Sequence, residues 1–384
     1  MAEVTVVGAG PVGLLLAGDL ARRGVDVEVL ERRAAAGGGT RAIGIHAPVL
    51  AALEDAGVTE RLLEDAVRVR RGEARSGGRL LGVVRFDRVA TRFPFVATLP
   101  QAATEAVLAA DAPEPRRGAN VMAVLPAAGG VRVRAGLGGR PIELDSRFVV
   151  VAAGAGGRGL VYRPEALRPR EYRDRYLMTD AAAGARTDDR AADAEVAVVH
   201  LDPGGVLESF PLPGGVRRFV AWDDPRASAD PASRVRRLRA ALERRGESAA
   251  DAVEDATSFG VRRFVAPRLR NGRVFVIGDT AHEVSPIGGQ GMNLGLLDAA
   301  TLAPLLARWV RTGEAPEPEL QRWERRRVRS ARAAARLAWA NTALGRAMPG
   351  VLDGARRTTV RAMLAAPFDR VFARAYAMGF DADA

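Results

Sequence analysis

The junction near the start of the chain, where Val4-Thr5-Val6-Val7 runs directly into Gly8-Ala9-Gly10-Pro11-Val12-Gly13, constrains the fold more than any other stretch. A short uncharged run of this kind reads as a buried strand. The three glycines then fall where a strand must turn sharply into a helix. Gly8 permits the tight turn, Gly10 lets a pyrophosphate approach the backbone, and Gly13 lets the helix pack closely on the strand. The helix predicted over Val12 to Arg23 aims its free N–H groups and the positive end of its dipole at a phosphate. Gly24 suits the C-terminal cap of that helix. A second strand, Val25 to Leu30, ends at Glu31-Arg32, which places a carboxylate where the hydroxyls of an unphosphorylated ribose would be. A tight turn alone could account for the glycines. Strand, helix, second strand and terminal acid together point instead to a dinucleotide site. Asp19 and the lack of basic residues before the motif argue against a secretory leader.

A second glycine-rich segment lies far downstream. Val274-Phe-Val-Ile-Gly278-Asp279-Thr-Ala-His282 continues through Pro286 to Gly288-Gly289-Gln290-Gly291-Met292-Asn293. Asp279, at the end of an apolar strand, is placed to accept hydrogen bonds from a polyol hydroxyl. The loop from Pro286 to Gly291 carries little bulk, so a planar ring can approach its backbone. Its amides open the next helix and can stabilise negative charge on a reduced ring system. Pro286, Gly288 and Gly289 are the loop positions expected to support the chemistry. His282, one of three histidines, is expected to hold the loop in place.

Composition narrows the class. A chain of 384 residues with 48% hydrophobic content can hold two domains with substantial cores. The absence of cysteine excludes disulfides, thiolate metal sites and thiol catalysis, and no metal is expected. No apolar run is long enough to span a bilayer, so a cytoplasmic location is expected. The net charge of +11 resembles a nucleic-acid signature, yet every basic residue is arginine and only 5% of residues are aromatic. Scattered arginines without stacking aromatics argue for coding bias rather than a nucleic-acid face. The positive field would favour anionic nicotinamide cofactors or acidic substrates.

Periodicity gives a discontinuous organisation. Residues 1–66, 97–162 and 264–310 read as one nucleotide-binding unit. It includes helices near Pro48 to Ala56 and Gln101 to Ala110, a hairpin around Val131 and Leu144, and the apolar strand Phe148 to Ala152. Residues 67–96 and 163–263 read as a second, sheet-rich unit. Its strands are expected at Arg79 to Phe86, Glu195 to His200, Leu207 to Phe210 and Arg217 to Trp222, with a charged helix from Pro231 to Arg245. Residues 311–384 form a helical region whose amphipathic faces would cap the first unit or make a dimer contact.

In this order the motifs resemble those of the class A FAD-dependent aromatic hydroxylases, the p-hydroxybenzoate hydroxylase family, up to about Leu306. Gly278-Asp279 through Asn293, with Asp298-Ala299, match the family's second FAD motif. Arg41-Ala-Ile-Gly-Ile-His46 and Leu99-Pro-Gln101, with Glu105, resemble segments that line the flavin. The resemblance implies an α/β fold: a Rossmann-like FAD-binding domain with an inserted sheet-rich substrate domain and C-terminal helices. FAD would be bound by Gly8, Gly10, Pro11, Val12, Gly13, Glu31, Arg32, Arg41, Gln101, Gly278, Asp279, Pro286, Gly289, Gly291, Met292 and Asn293.

The implied reaction is reduction of FAD by NADPH or NADH, formation of a C4a-hydroperoxyflavin with O₂, and oxygen transfer to a phenolic or polyketide-like aromatic. A product of secondary metabolism would fit the composition, and the chain would act as a monomer or homodimer. No catalytic base is evident: Tyr162, Tyr172, Tyr176 and Tyr376 qualify only by residue type. Phe86, Phe95, His200, Phe210, Pro211 and Trp222 are the pocket candidates, with core packing the ordinary explanation for the apolar ones.

The family's third motif is altered. Gly156 stands where an Asp is expected, and Gly159-Leu160 replace an Arg-Ser pair. This bears on nicotinamide use more than on FAD. A flavin halogenase is excluded because its essential lysine has no counterpart. An oxidase or ring-forming enzyme on the same scaffold stays open, as does FAD binding without catalysis.

Overall fold

A computed structural model describes residues 2–35, 37, 42–167, 169–183 and 195–381. Arg41 lies outside the described residues. The elements that matter here begin with β1 (Val4–Val7), α1 (Pro11–Arg22) and β2 (Val27–Glu31), followed by the hairpin β3 (Arg71–Ser76) and β4 (Arg79–Arg85). Next come β5 (Phe148–Val151), β6 (Arg170–Ala182), β7 (Val196–Asp202), β8 (Gly205–Leu212) and β9 (Val216–Asp223). The last are β10 (Thr257–Val265), β11 (Val274–Val276), α2 (Gly291–Thr312), α3 (Glu317–Leu344), α4 (Gly350–Met363) and α5 (Phe368–Tyr376).

Two main sheets organise the chain. In the first, β11, β5, β1 and β2 run side by side and parallel. β1, β5 and β11 are uninterrupted or nearly uninterrupted apolar runs, because helices and a small antiparallel sheet cover both faces. The second sheet holds eight strands, in the order 282–283, β10, β6, β9, β8, β7, β3, β4. Strands from residues 71–85 and 170–265 thus meet in one sheet. The one parallel pair in this sheet, β7 with β3, closes the inserted segment onto the rest.

The helix α1 docks on α2 through small residues. A Cβ on Gly295 would sit 2.6 Å from Val12 Cγ2 and 3.0 Å from Gly278 Cα, so only glycine admits this approach. This contact brings the first and second glycine-rich segments to the same edge of the parallel sheet.

Buried charge ties α2 and α3 to that edge. Asp298, fully buried on α2, accepts from the Gly278 amide at 3.1 Å, from Arg327 Nε at 2.8 Å and pairs with His282 Nε2 at 2.6 Å. Arg327, on α3, also donates to Asp381 Oδ1 and to the Leu294 carbonyl. Burial alone would raise the Asp298 carboxyl, but His282 and Arg327 outweigh it and hold it below the usual range. In sequence, Arg327 is one more member of the arginine run from Arg322 to Arg332, with nothing to mark it as the buried one.

Candidate active site

One cavity of about 860 Å³ runs from the first glycine turn, past the second glycine loop, to a face of the eight-stranded sheet. Such a volume lies at the upper end of those that hold small molecules.

The turn after β1 forms its first end. Gly8 has φ +110°, and a Cβ there would lie 2.5 Å from the Ala152 carbonyl oxygen, so the tight turn requires glycine. At Gly13 a Cβ would meet the Gly8 oxygen at 1.9 Å; this residue packs the helix on the strand from behind rather than facing the cavity. Gly10 faces open space and has nothing within 4 Å of its Cβ position. The N-terminus of α1 has no side-chain cap, leaving its N–H groups to a ligand.

The Glu31 carboxylate, on the cavity wall, accepts from the amides of Ala9 and Arg33 at 2.8 Å each. Burial works to raise its pKa, and these amides with the Arg33 guanidinium prevail and lower it. It therefore braces the glycine turn while remaining charged.

The second glycine loop forms the middle of the wall. Gly278, Asp279, Pro286, Gly288, Gly289, Gly291 and Met292 all line the cavity, as do Pro11, Val12, Arg32 and Gln101. Gly288 and Gly289 have φ of +103° and +67°, a backbone path closed to most side chains. Asn293 lies behind the wall, fully buried. It accepts from the His46 amide and donates to the carbonyls of Gly44 and Gly289, stapling the loop to the strand at 44–45. His46 lines the cavity beside Gly289, and burial pushes its pKa down to about 4, so it is neutral. Its Nδ1 is buried with no hydrogen-bond partner among the described residues. His282, by contrast, reaches Asp298 and holds the loop, as its sequence context implies.

The altered third motif also faces the cavity. Gly154, Gly156, Gly157 and Gly159 line it, and residues Ala155–Leu160 form a 3-10 turn. Arg158 donates from this turn to the Asp279 carbonyl at 2.7 Å and to Glu283 at 2.9 Å, joining the second and third motifs. Gly156 has an ordinary φ and nothing within 4 Å of its Cβ position.

The sheet and the C-terminal helices close the far end. Met178, Ala197, Val199, Val206, Phe210, Val220 and Phe259 present an apolar face, joined by Glu208 and Arg218. Leu344 of α3, Val360 of α4, and Phe372 and Tyr376 of α5 complete the wall. The C-terminal helices thus enclose the cavity, a role beyond the capping or dimer contact expected of them.

Of the pocket candidates, Phe86 and Phe210 line the cavity and four do not. Strand alternation explains two of these departures. On β8 the residues at 206, 208 and 210 face inward, so Pro211 points away, its carbonyl accepting from Thr98 Oγ1. On β7 the inward positions are 197, 199 and 201, so His200 points away and meets Glu247 at 3.0 Å. Trp222 packs against Gly205 beyond the cavity and donates to Asp174. Phe95 belongs to the main core, edge-on to Phe93. Of the tyrosines, only Tyr376 reaches the cavity.

Glu208 was missed by sequence reasoning, although the signal was present. In Val206-Leu-Glu208-Ser-Phe210 a strand with Phe210 inward must also carry Glu208 inward. The residue is 5% exposed, and burial pushes its pKa up to about 8.

Fold and cavity together define a Rossmann-type dinucleotide-binding protein with a second sheet over the site. The chain belongs to the FAD binding domain family, whose model matches residues 1–338. It is 33% identical over 345 residues to 6-methylpretetramide 4-monooxygenase of Streptomyces rimosus, covering 85% of this chain and 59% of that protein. It is 30% identical over 346 residues to dialkyldecalin synthase of Streptomyces rugosporus, covering 86% of this chain and 71% of that protein. The crystal structure of p-nitrophenol 4-monooxygenase from Pseudomonas putida superposes with a TM-score of 0.86 at 23% identity, covering 97% of this chain and 96% of that one, which shows the shared fold. Among the described residues no helix is long and apolar enough to cross a membrane.

The site's residues fit FAD. Gly10 leaves a cradle that a Cβ would fill, both helix N-termini lack side-chain caps, and the buried His46 Nδ1 is unpartnered.

Proposed function

We propose that the chain is an FAD-dependent monooxygenase that hydroxylates an aromatic small molecule, phenolic or polyketide-like, using NADPH or NADH and O₂. The observation that carries this reading is the continuity of one cavity. It joins a glycine-built nucleotide end to an apolar sheet face through a loop that admits a planar ring. The similarity to 6-methylpretetramide 4-monooxygenase supports the same reading.

Bound flavin would supply the redox chemistry, accepting a hydride and activating oxygen. The protein's part is placement and exclusion of water. Gly8, Gly10 and the α1 N-terminus would hold the pyrophosphate, Glu31 and Arg32 the ribose, and Asp279 the ribityl chain. The amides opening α2 would offset negative charge on the ring. Pro286, Gly288 and Gly289 would set the ring against the sheet face, where Phe86, Phe210 and their apolar neighbours exclude water. A cytoplasmic enzyme, monomeric or dimeric, agrees with this reading.

The holoenzyme should couple NAD(P)H oxidation to O₂ uptake and a hydroxylated product for at least one member of a panel of phenols and polycyclic aromatics. Hydrogen peroxide as the sole product with every member would overturn the reading. A ring-forming enzyme or oxidase is the second reading, favoured by Gly156 and by the similarity to dialkyldecalin synthase. On that reading the bound flavin would turn over no nicotinamide.

A further inference from the structure

The sheet brings several charged side chains to the cavity, and nearly all are paired. Glu73 meets Arg75 at 2.6 Å, Arg262 meets Glu171 at 3.1 Å, and Glu283 meets Arg158 at 2.9 Å. Arg218, 1% exposed, is held by both carboxylate oxygens of Asp180 at 2.6 Å. Glu208 differs from all of these. It makes no hydrogen bond or ion pair among the described residues, and its neighbours across the strands are Val199 and Val220. A buried carboxyl without a partner costs several kcal/mol unless something satisfies it. On a cavity wall, water or a ligand can supply that partner.

We propose that Glu208 is the group that recognises the substrate, accepting a hydrogen bond from a phenol or enol hydroxyl and taking its proton. In that transfer the substrate O–H bond breaks and a new O–H bond forms at a Glu208 carboxylate oxygen. The electron pair stays on the substrate oxygen, and nothing is oxidised or reduced. The resulting phenolate or enolate is the electron-rich ring that oxygen transfer requires. The inference rests on the monooxygenase reading and names its substrate class: neutral hydroxyarenes or enols, rather than aromatic carboxylates. A carboxylate would face Glu208 as a like charge, while the nearby Arg218 is already held by Asp180.

The surroundings make this proton transfer readable by pH. Burial raises the phenols of Tyr176 from β6 and Tyr376 from α5, with smaller contributions from the charge of Asp174 on Tyr176 and of Glu208 on both, so they stay protonated at neutral pH. The flanking Val199 and Val220 are apolar, Arg218 and Glu73 are ion-paired, and His46 is pushed down to about 4. Glu208, raised to about 8, is the group left to titrate.

The test is calorimetric binding of naphthol and of its methyl ether to the FAD-loaded protein from about pH 6 to about pH 8.5, where naphthol itself stays largely neutral. At about pH 8 naphthol should bind about tenfold or more tighter than the ether. Naphthol affinity should rise with pH as Glu208 ionises, while ether affinity falls because only the protonated carboxyl donates to an ether oxygen. Glu208→Gln should flatten both slopes, and Glu208→Leu should bring the two affinities within about twofold. FAD absorbance in each variant checks that the site has formed. Equal wild-type binding of the two ligands, or a preference that survives in Glu208→Leu, would overturn the inference. Because binding is read without turnover, a failure to hydroxylate would count against the monooxygenase reading and not against Glu208.

Discussion

The two ends of the cavity are built in opposite ways. At the end proposed to hold the nucleotide, the wall is built of backbone: Gly8, Gly10 and the open α1 N-terminus lie within a few residues of one another. At the substrate end it is made by side chains from β6 through β10 and from α3 to α5, which are separated by long stretches of sequence. A backbone site needs glycine at fixed local spacing, and it tolerates little change. A side-chain site needs only a sheet face of the right alternation, so its residues are free to vary with the substrate.

The largest effect should come from the buried clamp that ties α2 and α3 to the edge of the parallel sheet. Arg327→Met leaves Asp298 and Asp381 buried without their cation, and should lower unfolding stability by roughly 3–5 kcal/mol in urea titration. A much smaller loss would mean that the buried pairs are dispensable to the junction.

Glu208→Gln should act in the other direction. The folded protein holds the Glu208 proton up to about 8, whereas the unfolded chain releases it near 4.5. The folded state therefore binds more protons across that window, and wild-type stability falls as pH rises through it. Relative to wild type, Glu208→Gln should gain up to roughly 4 kcal/mol on going from about pH 4.5 to about pH 8. A pH-independent difference in melting temperature would show that Glu208 is not buried as described.

Two glycine variants separate packing from ligand contact at the backbone-built end. Gly13→Ala drives a Cβ into the Gly8 carbonyl and should cost roughly 1–3 kcal/mol of stability along with FAD. Gly10→Ala meets no protein atom, so thermal stability without FAD should hold while FAD affinity falls about tenfold. Equal damage from both, measured by melting and by flavin titration, would erase this distinction.

The smallest effect belongs to Gly156→Asp. The position has space and an ordinary backbone, so the carboxylate can be accommodated. Flavin reduction by a nicotinamide should speed a few-fold, on the order of 1 kcal/mol in the barrier. Unchanged stopped-flow rates would show that the missing acid does not limit that step.

The same contrast explains what the sequence revealed. The strand Val4–Val7 and the helix beginning at Gln101 were legible because their patterns are local. Both glycine segments were legible because their chemistry is confined to short spans. Pro211 and His200 have residue types suited to a pocket but the opposite strand parity, and the parity of Phe210 carries Glu208 to the same face. Arg327 had no local signal, since its burial depends on where α3 lands. The strand Arg170–Ala182 shows little alternation at its charged start, where its pairing with β10 shifts register between Glu171 and Arg175.

The most direct test of the whole account is the visible spectrum of the purified protein during anaerobic titration with NADPH and NADH. Oxidised-flavin bands should bleach with one of the two donors and return on admitting O₂. A protein that shows no flavin band even after FAD is added, or whose bands persist through both titrations with phenolic ligand present, would contradict it.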